Sequence, residues 1–198
     1  RSFARTWRRG FLPRAYETLS NDVTYVRIEM NYFFLTLGLG TLPPRISSLI
    51  ATTIALALGV LILIFFNEKT LFLATLLIAV ITVRAVNEYE KNGATQRDER
   101  VILDKFAGVG FALSVAPAIG VSLDQLAEFN NGFLIQALLS FALFIHFNTQ
   151  KHSIIGRVYR EAKGGIAIVG DDVLAGFTAG IVSSLLWQAF LQAQAFFA

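Results

Sequence analysis

The chain has 198 residues, of which 55% are hydrophobic and 16% charged, with a formal net charge of +3. An average soluble domain carries about 25% charged residues, so the composition indicates an integral membrane protein, and the length allows one compact bundle rather than two sizeable cores. The absence of cysteine excludes disulfides, thiolate metal sites and cysteine nucleophiles. The modest basic excess reads as segments beside a membrane, not as a nucleic-acid surface.

Residues 1–32 form a basic arm, acid-free from Arg1 to Tyr16 with Arg1, Arg5, Arg8, Arg9 and Arg14. It reads either as the remainder of an organelle-targeting segment or as an arm lying on a membrane surface. The stretch from Val23 to Leu37 is expected to be an interfacial helix. Gly38 to Pro44 then breaks any helix, because two glycines and a Pro-Pro pair favour a turn.

The remainder, 33–198, is expected to be an all-α membrane domain, a helical bundle of about five transmembrane spans. Ile46 to Phe66 is an uncharged run of 21 residues, enough to cross about 30 Å of hydrocarbon at about 1.5 Å per residue. Thr70 to Val83 returns as a short second span, with Arg84 to Glu90 extending it into water. Phe106 to Leu123, interrupted by Pro117, is the third span and Gly132 to Phe147 the fourth. A basic connector follows, and the uncharged run from Val173 to Ala198 is the fifth. With five spans, every Lys and Arg except Lys69 falls on one side. The positive-inside rule then puts the N-terminus on the cytoplasmic, matrix or stromal side.

This topology gathers three acids at one face. Asp104, Gly108 and Ala112 repeat every four residues, as do Asp172, Gly176 and Gly180, so each acid tops a stripe of small residues on one helix face. Such stripes let membrane helices approach closely. If the stripes face each other, Asp104, Asp171 and Asp172 converge and suit a hard cation such as Mg²⁺ that shares its coordination with phosphate oxygens. The competing reading makes each acid a cap on a first helical turn. That reading suits Asp104 best, whereas a second adjacent carboxylate at Asp171-Asp172 adds repulsion without adding a cap. His146 and His152 stand six apart, against the three or four that a zinc pair on one helix needs.

Gly164-Gly165-Ile-Ala-Ile-Val-Gly-Asp171-Asp172-Val-Leu-Ala175-Gly176 resembles the Gly-Gly-x-Gly-x-Met-x-Asp-Asp-x-x-Ala-Gly signature of the phosphatidylglycerophosphatase A family. Val101-Ile-Leu-Asp104-Lys-Phe-Ala-Gly108 resembles that family's Ile-Val-x-Asp-Glu-x-x-Gly-Met segment, and Asn87-Glu-Tyr-Glu-Lys91 is also similar. The resemblance implies a Mg²⁺-dependent phosphatase that converts phosphatidylglycerophosphate to phosphatidylglycerol. It implies catalytic and metal-binding roles for Asp104, Asp171 and Asp172.

The departures fall on polar positions. The family's Asp-Glu pair is Asp104-Lys105 here, its Arg is Ile145, the Asp of its Phe-Asp-Ile is Asn148, and its Lys-Pro is Lys151-His152. Its glycine-bearing early loop reads Pro43-Pro44-Arg45-Ile46-Ser47-Ser48. Arg45, Lys105 and Lys151 remain as phosphate- or lipid-binding candidates, and Lys105 can alternatively pair with Asp104 or Asp171 in place of a metal.

Two functions follow. One is a non-catalytic, structural or lipid-binding subunit of a larger membrane complex, with phospholipid and other membrane subunits as partners. The other is a working Mg²⁺-dependent lipid phosphatase in a bacterial, mitochondrial or plastid inner membrane. The first is preferred, because the substitutions leave the hydrophobic frame intact.

Overall fold

The structure, a computed structural model, describes residues 32–39, 42–91, 101–116, 132–150 and 162–197. Among them every regular element is helical: α1 (Pro44–Phe65), α2 (Glu68–Lys91), α3 (Leu103–Val115), α4 (Gly132–Gln150) and α5 (Gly165–Phe197), with one further helical turn at 32–36. Four of these, α1, α2, α4 and α5, are long and apolar enough to cross a membrane. The basic arm, most of the expected interfacial helix, Lys151 and His152 lie outside the described residues.

The break before α1 forms as its composition requires. Leu37 and Gly38 both take positive φ, 46° and 77°, a region that a residue without a Cβ enters at least cost. Pro44 then occupies the first turn of α1, where its missing N–H leaves no hydrogen bond unmade.

The long helices bury narrow stripes rich in small residues and turn many of their large apolar residues outward. On α1 the buried residues include Ser47, Ala51, Ala55 and Gly59, spaced by four, whereas Leu49, Leu58, Leu61 and Phe65 are exposed. On α2, Leu71, Thr75, Ala79, Thr82 and Val86 are buried while Leu73 and Leu77 are 64% and 60% exposed. This suits a bilayer, where lipid tails are as apolar as leucine and helices associate through close backbone approach. Several hydroxyls on these helices are satisfied locally: Thr52, Thr75, Thr82 and Thr178 each donate to the carbonyl four residues back, at 2.7–2.9 Å.

The element at the centre is α3. Nine of its thirteen residues are buried, and it touches all four long helices. Gly59 on α1 faces Leu113, Gly110 faces Thr75 on α2, Gly108 faces Phe144 on α4, and Gly176 on α5 faces the Gly108 carbonyl. Its 13 residues rise about 20 Å, so the described part of the expected third span is a core helix wrapped by the other four. Phe111 stacks on Phe177 at 4.7 Å, with Phe72 edge-on to both, tying α2, α3 and α5 together.

Helix boundaries differ from expectation mainly in α5. It starts at Gly165, eight residues before Val173, and the span from Thr70 extends to Lys91 as one helix. Asp171 and Asp172 therefore do not open a helix. They lie in its second turn, and its first turn holds no acid.

Candidate functional site: a carboxylate pair closed by lysine

Residues 108 and 176, and 112 and 180, meet across the α3–α5 contact: a Cβ on Gly176 would overlap the Gly108 carbonyl, and one on Gly180 would lie 2.9 Å from the Ala112 carbonyl oxygen. Both pairs differ by 68 positions, so the helices run parallel and Asp172 stands level with Asp104. The two small-residue stripes face each other, and each glycine is needed because backbone occupies the space that a side chain would take.

Asp104 and Asp172 are 4% and 0% exposed. Between them stands Lys105, whose Nζ donates to Asp104 Oδ2 at 3.0 Å and to Asp172 Oδ2 at 2.6 Å. The second oxygen of Asp104 accepts the backbone N–H of Lys105 at 2.8 Å. That N–H also donates to the Ile102 carbonyl at 3.1 Å, so Asp104 shares a donor of the first turn of α3 and pairs with the lysine. Ile102, at the N-cap, makes no side-chain cap bond. Asp172 Oδ1 is buried without a hydrogen-bond partner among the described residues. Asp171 is buried beside it, 3% exposed, rotated about 100° around the helix.

Mg²⁺ needs near-octahedral oxygen ligands at about 2.0–2.1 Å. Here the point shared by Asp104 and Asp172 is taken by an ammonium group, which has three donors and no lone pair. Among the described residues no group of three or more His, Cys, Asp or Glu side chains is placed to hold a metal ion. The described donor set, in this arrangement, does not fit the ion that the resemblance implies.

The cluster is aimed by α2. Asn87 Oδ1 accepts the backbone N–H of Gly165 at 2.8 Å, and Gly164 turns with φ 64° to present it. Gly165 packs against the Val83 backbone so closely that a Cβ would lie 2.7 Å from the Val83 Cα. These contacts fix where α5 begins and hence the height of Asp172. The sequence shows Asn87 within a family-like segment but assigns it no role, since its partner lies 78 residues away.

Arg45 is not part of this cluster. It lies on the rim of a cleft of about 330 Å³ between the start of α1 and the end of α4, whose lining includes none of Asp104, Lys105, Asp171 or Asp172. Phe144 forms part of that lining and packs against Gly108 on α3. His146 is exposed, edge-on to Phe147 at 5.6 Å.

Comparison with known proteins agrees with the geometry of the frame. The family model for phosphatidylglycerophosphatase A matches residues 32–187, from the turn before α1 into the last third of α5. No curated protein and no solved structure matches the chain. The match takes in all of α1 to α4, the parallel α3–α5 contact and both acidic segments, and the chain belongs to the phosphatidylglycerophosphatase A family.

Proposed function

We propose that this chain is a non-catalytic member of its family, a membrane protein that keeps the helical frame and acts as a structural or lipid-binding subunit of a larger membrane assembly. The observation that carries this reading is Lys105 Nζ, held 3.0 Å from Asp104 and 2.6 Å from Asp172. Two buried carboxylates repel each other and are costly to desolvate unless a cation compensates them. In a phosphatase that cation would be Mg²⁺, which supplies Lewis-acid polarisation of the phosphoryl group. Lys105 supplies the charge without a coordination site, so the carboxylates are retained as part of the α3–α5 contact.

The other reading, a Mg²⁺-dependent phosphatidylglycerophosphate phosphatase using Asp104, Asp171 and Asp172, is supported by the family membership and by the persistence of all three acids. It requires Lys105 to swing out of the pair.

The activity test is direct. Purified protein with Mg²⁺ and phosphatidylglycerophosphate is expected to release phosphate no faster than its Asp171→Asn variant; release that the substitution abolishes would establish the enzyme. For orientation, the reading puts the N-terminus, Lys91 and Thr149 on the cytoplasmic, matrix or stromal face of an inner membrane. In this cysteine-free chain, an impermeant thiol reagent should label Lys91→Cys and Thr149→Cys from that face and Asn67→Cys from the other. The reverse pattern would overturn the orientation.

A further inference from the structure

The cleft between α1 and α4 has a chemistry of its own. Its polar side chains include a cation, Arg45, with Ser48 and Asn148, and its apolar wall is Leu49, Phe144 and Ile145; no carboxylate lines it among the described residues. Arg45 forms no ion pair, and the side chains of Ser48 and Asn148 form no hydrogen bond, with any described residue. The polar groups of the carboxylate cluster are mostly spent on one another, whereas these three are uncommitted and border one concave space. The volume of about 330 Å³ lies at the small end of ligand sites and suits a headgroup, not a whole lipid. Leu49, 61% exposed, and Ile145, 36% exposed, continue the wall outward along α1 and α4.

We infer that this cleft holds the phosphodiester group of an anionic membrane phospholipid, with Arg45 pairing the single negative charge, Ser48 and Asn148 donating to headgroup oxygens, and the first acyl carbons lying along Leu49 and Ile145. Charge decides between phosphate classes. A phosphomonoester carries about −1.5 to −2 at neutral pH, and the described lining offers it one cation. The remaining described lysine near the bundle interior, Lys105, is committed to Asp104 and Asp172, and in that respect the inference rests on the proposed function. A phosphodiester carries one charge, which one guanidinium matches with paired N–H donors.

The test is lipid binding to the full chain in detergent, read by native mass spectrometry. The probes are short-chain phosphatidylglycerol and phosphatidylinositol as anionic diesters, phosphatidylcholine as a diester without net charge, phosphatidic acid as a monoester, and inorganic phosphate. The two anionic diesters are expected to bind more tightly than the other three, and Arg45→Gln to weaken them at least about tenfold, the scale of one charged hydrogen bond. Asn148→Asp, which leaves Arg45 in place and adds an acid to the cleft, is expected to weaken them as well. Equal binding by wild type and both variants would overturn the site. Inorganic phosphate binding as tightly as the lipids would make it a free-phosphate site. Arg45-dependent preference for phosphatidic acid would overturn the diester assignment. Turnover of phosphatidylglycerophosphate, measured separately, would sink the non-catalytic reading while leaving these binding results to be judged on their own.

Discussion

Lys105 stands one residue beyond Asp104, yet its side chain reaches across the helix contact to an acid 67 positions later. The first link is visible in the sequence as a cation where the family has a carboxylate. The second needs the fold, because it depends on α3 and α5 running parallel with a 68-residue offset. Removing the cation while leaving both acids buried is therefore expected to cost more than the bond itself. For Lys105→Met, a loss of about 3 kcal/mol follows, the lower end of the range for breaking a buried pair, because the Lys105 side chain keeps 16% exposure. A second substitution, Asp172→Asn in that background, removes one of the uncompensated charges and should restore part of the loss. Thermal unfolding in detergent reads both. If the two substitutions simply add, Lys105 is not neutralising Asp172 and the coupling is absent.

At the scale of elements, α5 illustrates what composition conceals. Its charge-free run begins at Val173, which suggested a helix opening there with Asp171 and Asp172 at its mouth. The helix instead begins at Gly165, because Asn87 supplies an acceptor for its first N–H and Val83 offers a backbone surface that only glycine can meet. Both partners come from α2, so no local signal marks the boundary. The stripes, by contrast, were legible: a period of four in Gly108, Ala112, Gly176 and Gly180 has few meanings in a membrane helix other than close packing. Gly176→Leu forces a side chain into the Gly108 carbonyl, where no flexible neighbour can yield. It should destabilise by at least the upper part of the usual 1–3 kcal/mol for overpacking and separate Asp172 from Lys105. Leu185→Ala on the lipid-facing side of the same helix, 65% exposed, should stay within about 0.5 kcal/mol. Comparable thermal midpoints for the two variants would refute the tight α3–α5 contact.

Considered whole, the molecule was readable where bilayer physics constrains it and less so where partners are distant. Length and hydropathy were enough for α1, α2, α4 and α5, because a span must be long, apolar and helical. The third span was read as one more crossing of the same kind. In the described residues it is the buried hub, a role that its glycines and alanines permit but do not announce. Among the candidate residues, the fold joins Asp104, Lys105 and Asp172, buries Asp171 beside them, and puts Arg45 on a separate cleft with Ser48 and Asn148, which the sequence showed only as departures from the family pattern. The central claim is that Lys105 fills the position a metal would take. It is tested most directly by Mn²⁺, a paramagnetic stand-in for Mg²⁺, titrated into purified protein while free ion is followed by electron paramagnetic resonance. Wild type should take up no stoichiometric Mn²⁺ at micromolar free ion, and Lys105→Glu, which adds a third carboxylate at that point, should take up one per chain. One Mn²⁺ bound by wild type and released by Asp172→Asn would contradict the account.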